Sequence, residues 1–179
     1  MSDTLNKIQI IINPIAGTRG KADIPAMIQR ALPADRYDVV ITHTEAPGHA
    51  VTLAERAVAR GCHAVVAVGG DGTVNEVATA LRDTSTALGV IPCGSGNGLA
   101  RHLHIPVNTA QAINALTRCH RETIDYCTVN DRPFFCTCGA GFDAQVSYQF
   151  AKADTRGLIT YIRTTINEYF RYRARHYHI

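Results

Sequence analysis

The stretch VVAVGGDGTVNE, residues 65–76, constrains this chain more than any other. Val65, Val66, Ala67 and Val68 form a short apolar run with β-branched members, which suits a buried strand of a parallel sheet, and the glycines beside it favour strand over helix. Gly69, Gly70 and Gly72 lack a Cβ, so the backbone there can turn sharply and admit a bulky anion to its N–H groups. Thr73 and Glu76 stand three apart ahead of an apolar run, the pattern of a capping box, and predict a helix from Thr73 to about Arg82. Strand, glycine turn and helix N-terminus together make the usual geometry for holding phosphate. Asp71 separates this turn from an ordinary strand-to-helix connection. A carboxylate beside a phosphate cradle repels the bound anion unless it handles Mg²⁺ or accepts a proton from an attacking hydroxyl, so packing is a poor explanation for it.

The rest of the chain repeats the same alternation. Residues 8–12 (IQIII) read as the first strand, ending in Asn13-Pro14, a turn initiator, with Gly17 and Gly20 keeping the following loop open. Gly17, Gly20 and Lys21 do not make a Walker A loop. That motif needs four residues between its glycines and a Ser or Thr after the lysine, whereas two residues intervene here and Ala22 follows. Apolar residues at helical spacing predict a helix over 24–32, a strand follows over 37–42, and Pro47-Gly48-His49-Ala50 opens a helix to about Arg60. Residues 87–91 (ALGVI) are the next buried strand. They run into a second glycine turn, residues 93–98 (CGSGNG), and a helix through Leu99, Ala100 and Leu103. Two glycine turns at the C-terminal ends of strands in one sheet predict a shared crevice, where open α/β sheets bind ligands. Ser95 can donate its hydroxyl to a phosphate oxygen. Arg101 reads as an exposed helix arginine.

Beyond a short helix over 108–116 the pattern changes. Asn130-Asp131 lies between two β-type runs, 124–129 and 134–137, with no helix between, which predicts a hairpin. Residues 157–172 predict an amphipathic helix, and Lys152, Arg163, Arg171, Arg173 and Arg175 give this end a basic lean over Asp154 and Glu168. Residues 174–179 read as the start of a further strand.

Composition excludes several classes. With 46% hydrophobic and 18% charged residues over 179 positions, the chain is long enough for one domain with a sizeable core. A net charge of +3 gives little support for a nucleic-acid partner. Residues 1–7 lack the apolar stretch of a signal peptide, so a cytoplasmic protein is expected. The six cysteines follow no disulfide-scaffold spacing, and Cys136-Thr137-Cys138 has no further ligand pair, so no metal site is assigned. The histidines likewise have no metal spacing partners.

GGDGTVNE, with NPIAG upstream and PCGSGNGLARHL downstream, resembles the catalytic domain shared by diacylglycerol kinases and sphingosine kinases; NAD kinases, more distant, share the GGDG element and the following NE. The resemblance implies a three-layer, Rossmann-like α/β nucleotide-binding domain with a mostly parallel sheet and a hairpin toward its C-terminal part. It implies ATP and Mg²⁺ as ligands. Nucleotide contacts fall on Asn13, Pro14, Ile15, Ala16 and Gly17, on Thr44, on Gly69, Gly70, Asp71, Gly72, Thr73, Val74, Asn75 and Glu76, and on Ser95. By spacing alone, Thr44 is an ordinary cap or turn residue, and Glu76 closes its capping box whether or not it meets nucleotide. Asp71 is the candidate catalytic residue, for Mg²⁺–ATP handling or hydroxyl deprotonation. By resemblance to sphingosine kinases, Asp143 orients the acceptor hydroxyl; by spacing it is a helix-start acid.

The reading is therefore an ATP-dependent kinase domain that phosphorylates a lipid hydroxyl, diacylglycerol or a sphingoid-like base, at a membrane surface on the inner face. A homodimer is one allowed state. By the same resemblance a β-rich domain follows residue 179 and carries a general base and a structural magnesium site. The rivals are an NAD kinase-like phosphotransferase, which the PCGSGNGLARHL block argues against, and a nucleotide-binding regulatory module without catalysis.

Overall fold

The computed structural model describes residues 5–17, 22–118, 120–153, 158–174 and 176. Gly20, Lys21, Asp154, the helix start at Gly157, and Arg175, Tyr177, His178 and Ile179 of the expected last strand lie outside them. The chain divides into two units, residues 1–136 and 137–179.

The first unit is an α/β sandwich. Strands β1 (Asn6–Ile12), β2 (Tyr37–His43), β3 (Ala64–Gly69) and β4 (Ala87–Pro92) form a fully parallel sheet in the order β2-β1-β3-β4. Side chains alternate across it, as the two-residue period of a strand requires. Ile10, Ile12, Val66, Val68 and Ile91 pack on one face against α1 (Ile24–Ala31) and α5 (Thr109–Ala115). Ile11, Val65, Ala67 and Val90 pack on the other against α2 (His49–Ala59), α3 (Asp71–Leu81) and α4 (Gly98–His102). Both faces are covered, which is why β1 and β3 read as continuous apolar runs rather than alternating ones.

Strand order fixes where a ligand can enter. From β1 the chain crosses to β2 on one side, and from β3 it crosses to β4 on the other, so the connections leaving β1 and β3 diverge above their C-terminal ends. Such a switch point opens a crevice in a doubly wound sheet. Asn13 follows β1 there, and its N–H donates to the Val68 carbonyl at 2.9 Å.

A separate two-stranded antiparallel ribbon, β5 (Cys127–Val129) and β6 (Arg132–Phe134), carries the expected hairpin. Asn130 and Asp131 both take positive φ, 48° and 62°, as a two-residue turn matched to strand twist demands. The second strand ends at Phe134 rather than running to Thr137 as expected, so Cys136, like Cys138, lies outside it, and both cysteines are exposed.

The second unit contains α6 (Phe142–Lys152) and α7 (Leu158–Tyr169). Val146 of α6 is buried, Phe142 meets Tyr169 and Tyr172 edge to face, and Phe150 meets Tyr161 the same way. Glu168, only 8% exposed, accepts from Gln145 Nε2 at 3.1 Å. The outward face of α7 stays apolar, with Ile159 85% and Phe170 81% exposed beside Ile162, Ile166 and Tyr169. No helix among the described residues is long and apolar enough to cross a membrane.

Candidate nucleotide site

The two glycine turns meet. Gly70 and Gly94 face each other so closely that a Cβ built on Gly94 would lie 2.5 Å from the Gly70 Cα, and one on Gly70 would lie 3.2 Å from the Gly94 Cα. Glycine at position 94 is what permits this approach, and a side chain at position 70 would crowd it. The Cys93 N–H donates to the Gly69 carbonyl at 2.8 Å and extends the sheet pairing into the turns. Gly17 completes the arrangement: its φ is +69°, and a Cβ there would collide with the Cys93 carbonyl oxygen. Gly17 thus closes the loop after β1 against the second turn, where the sequence suggested a glycine that keeps the loop open.

Asp71 ties the turns together. Its Oδ2 accepts from the Asn97 N–H at 2.8 Å and its Oδ1 from the Gly98 N–H at 2.6 Å. The acid therefore caps α4 from the neighbouring helix, a packing role that spacing along the chain could not reveal. A carboxylate so placed is stabilising, because the first amides of a helix have no internal acceptor. Asp71 remains exposed at the surface of the turn, and each carboxylate oxygen retains acceptor capacity beyond its one amide.

The capping box expected between Thr73 and Glu76 does not form. The helix starts two residues earlier, at Asp71, with Gly70 as its cap and no side-chain cap bond. Thr73 is buried one turn in, and its Oγ1 accepts from Asn13 Nδ2 at 2.9 Å, tying the end of β1 to α3. Glu76 instead reaches α2, where its two oxygens accept from the Gly48 N–H at 3.0 Å and the Ala50 N–H at 3.3 Å. Each acid of GGDGTVNE thus caps a neighbouring helix.

These bonds leave a specific set of donors open. The N–H groups of Asp71, Gly72 and Thr73 precede the first intrahelical donor, Val74, which bonds the Gly70 carbonyl at 3.1 Å, and they have no acceptor among the described residues. Beside them a cleft of about 240 Å³ is lined by Asn13, Pro14, Ile15, Thr44, Glu45, Ala46, Pro47, Gly72, Thr73 and Glu76. Its walls are the ends of β1 and β2 and the first turn of α3, so it lies at the switch point.

Seven of those lining residues, Asn13, Pro14, Ile15, Thr44, Gly72, Thr73 and Glu76, are ones the sequence marked for nucleotide contact. Gly69, Gly70, Asp71 and Ser95 stand on the adjoining turns, and the exposed Ser95 hydroxyl has no partner among the described residues. Val74 turns its side chain into the core, and the Asn75 carbonyl accepts from Thr79 Oγ1. Asp143 is the second residue of α6 in the other unit, after the cap Gly141, and its carboxylate lies over Gly139. Arg101 is exposed and donates through Nε to the Gly96 carbonyl at 2.9 Å. The sequence reading did not single out Asn97, which is buried at the centre of the second turn; its one signal was an asparagine between two glycines at a helix start. No group of three or more His, Cys, Asp or Glu residues suited to hold a metal ion occurs among the described residues.

Comparison with known proteins identifies the family. Residues 7–129 match the family model of the diacylglycerol kinase catalytic domain. A diacylglycerol kinase of Staphylococcus haemolyticus is 33% identical over 147 residues, covering 79% of this chain and 43% of that protein. One of Staphylococcus aureus is 34% identical over 146 residues, covering 80% and 46%. The crystal structure of a diacylglycerol kinase from Bacillus anthracis superposes with a TM-score of 0.66 at 29% identity, over 73% of this chain and 48% of that one. The chain spans about half the length of the curated relatives it matches. On the strength of the matched domain, this chain belongs to the diacylglycerol kinase catalytic domain family.

Proposed function

We propose that this domain binds Mg²⁺–ATP in the cleft above β1 and β3 and transfers the γ-phosphoryl group to the hydroxyl of a lipid, diacylglycerol or a sphingoid-like base. The observation that carries the reading is the set of acceptor-free amides at Asp71, Gly72 and Thr73, at the N-terminus of an eleven-residue helix and beside the cleft. Such amides suit phosphate oxygens, and the helix dipole favours the negative charge. Asn13 and Thr44 line the wall on which the rest of the nucleotide would rest. The Asn97 and Gly98 amides are committed to Asp71, so the first glycine turn, rather than both, supplies the backbone cradle.

Mg²⁺ bound with the nucleotide would supply neutralisation of the charge that develops during transfer. Asp71 is the residue suited to face it, or to take the proton from the attacking hydroxyl. Nucleotide affinity separates the two roles. If Asp71 holds the metal, Asp71→Asn weakens Mg²⁺–ATP binding; if it takes the proton, binding persists and turnover falls. Asp143 is proposed to orient the acceptor hydroxyl, and Asp143→Asn should then raise the KM for lipid and leave that for ATP unchanged.

We also propose peripheral docking on anionic lipid through the second unit. With Glu168 buried, its exposed charges among the described residues are Lys152, Arg163, Arg171 and Arg173 against Asp143 alone, beside the bare apolar face of α7. Each cation near an anionic surface adds about 1 kcal/mol. Sedimentation with phosphatidylglycerol vesicles but not phosphatidylcholine vesicles is expected. Equal behaviour with both, together with a dimeric mass in solution, would assign that face to a second copy instead.

Transfer of label from γ-labelled ATP is the deciding experiment. The 179-residue chain should bind nucleotide and turn over little, and the protein extended at its C-terminus toward the length of its relatives should label lipid. Labelled NAD would favour the NAD kinase reading. Nucleotide binding with no labelled lipid from the extended protein would leave a binding module.

A further inference from the structure

We propose that Asn97 is a positioning residue for the phosphoryl transfer, acting through Asp71; the inference rests on the kinase reading above. Asn97 is 8% exposed in a turn of otherwise small residues. Its side chain closes the turn onto Gly94 twice, with Oδ1 accepting from the Gly94 N–H and Nδ2 donating to the Gly94 carbonyl, both at 2.8 Å. Its backbone takes φ +53°, the left-handed region that asparagine and glycine occupy at least cost. That conformation presents two successive amides, its own and that of Gly98, to the two oxygens of Asp71.

One amide on each oxygen fixes the carboxylate plane, because rotation about Cβ–Cγ would break one or both bonds. The turn is held from the other side as well. Arg101 donates through its N–H to the Asn97 carbonyl and through Nε to the Gly96 carbonyl, both at 2.9 Å. A Cβ on Gly96 would lie 2.8 Å from Asp71 Oδ2, so the carboxylate is seated directly against the turn. The Asn97 side chain therefore sets the shape of a loop that presents two successive amides to the acid proposed for the chemistry. Displacing such a group by about 1 Å can cost about 100-fold in rate without removing any reacting atom.

Asn97→Gly is the direct test, since glycine keeps the left-handed backbone and deletes only the clasp. In the extended protein, kcat for lipid phosphorylation should fall about 100-fold; the KM for ATP stays within about twofold where Asp71 takes the proton, a loss confined to the transition state, and rises where it holds the metal. In an Asp71→Asn background the same substitution should lower the residual rate by less than about threefold, because groups that act through one another are not additive. Asn97→Asp keeps the acceptor for the Gly94 N–H, loses the donor to the Gly94 carbonyl, and should lower kcat in the same direction should the glycine variant not fold. Wild-type kcat in a folded variant, or full losses that multiply with Asp71→Asn, would overturn the proposal. If the unsubstituted protein labels no lipid, the kinase reading has failed instead.

Discussion

At the scale of single residues, the site depends on groups that do two jobs. Asp71 caps α4 from the first turn of its own helix; Glu76 caps α2 and lines the cleft. Asp71→Asn should therefore cut transfer to a small residual rate and also cost stability, on the order of 1–3 kcal/mol for weakening a charge-assisted bond. Thermal melting should show a drop of a few degrees in a transition that stays cooperative. An unchanged rate would remove Asp71 from the chemistry. Gly94→Ala is expected to force the turns apart, since its Cβ would meet the Gly70 Cα and Asn97 Oδ1. Loss of nucleotide binding by calorimetry would bear this out, and wild-type affinity would contradict it. Cys62 gives a pH-linked prediction. Burial, the largest cause, raises its thiol above the ordinary 9.0, with Arg60 and Lys7 opposing and Asp38 reinforcing. A raised folded value favours the native state at lower pH and loses that contribution as pH climbs through and beyond 9. At pH about 8, alkylation should thus reach the exposed Cys127, Cys136 and Cys138 and spare Cys62 until the protein unfolds.

At the scale of elements, the sequence was most legible where apolar runs and glycine turns coincide. Residues 65–68, 87–91 and 8–12 became β3, β4 and β1 with only the ends shifted, because a sheet buried on both faces imposes continuous apolar stretches. The hairpin was legible from Asn130-Asp131 standing between two β-type runs with no helix between them. Capping was not. Thr73 and Glu76 satisfied a local pattern, yet Thr73 faces Asn13 and Glu76 faces α2, since bonds across the crevice replaced bonds along the helix. Spacing within one segment carries no information about a neighbour 28 residues away, which is the separation of Gly48 and Glu76. The same reason hid the role of Asn97. Glu76→Ala should accordingly destabilise α2 rather than α3, by about 1 kcal/mol. Hydrogen exchange should show faster amides at Gly48 and Ala50, with α3 amides unaffected; protection lost only in α3 would restore the capping box.

At the scale of the whole molecule, topology does the placing. The order β2-β1-β3-β4 sets Asn13 and Gly72 on either side of one crevice, and the face-to-face glycines draw the second turn against it. The placement of these residues is thus carried by strand order and close backbone approach, which the sequence indicated only through two glycine-rich blocks following two strands. Addition of Mg²⁺–ATP to isotope-labelled protein, followed by amide NMR, tests the account most directly. Resonances of Asp71, Gly72 and Thr73 should shift together with those of Asn13 and Thr44, while the Asn97 and Gly98 amides, already bonded to Asp71, move little. Saturable shifts confined to other residues, or none at millimolar nucleotide, would contradict it.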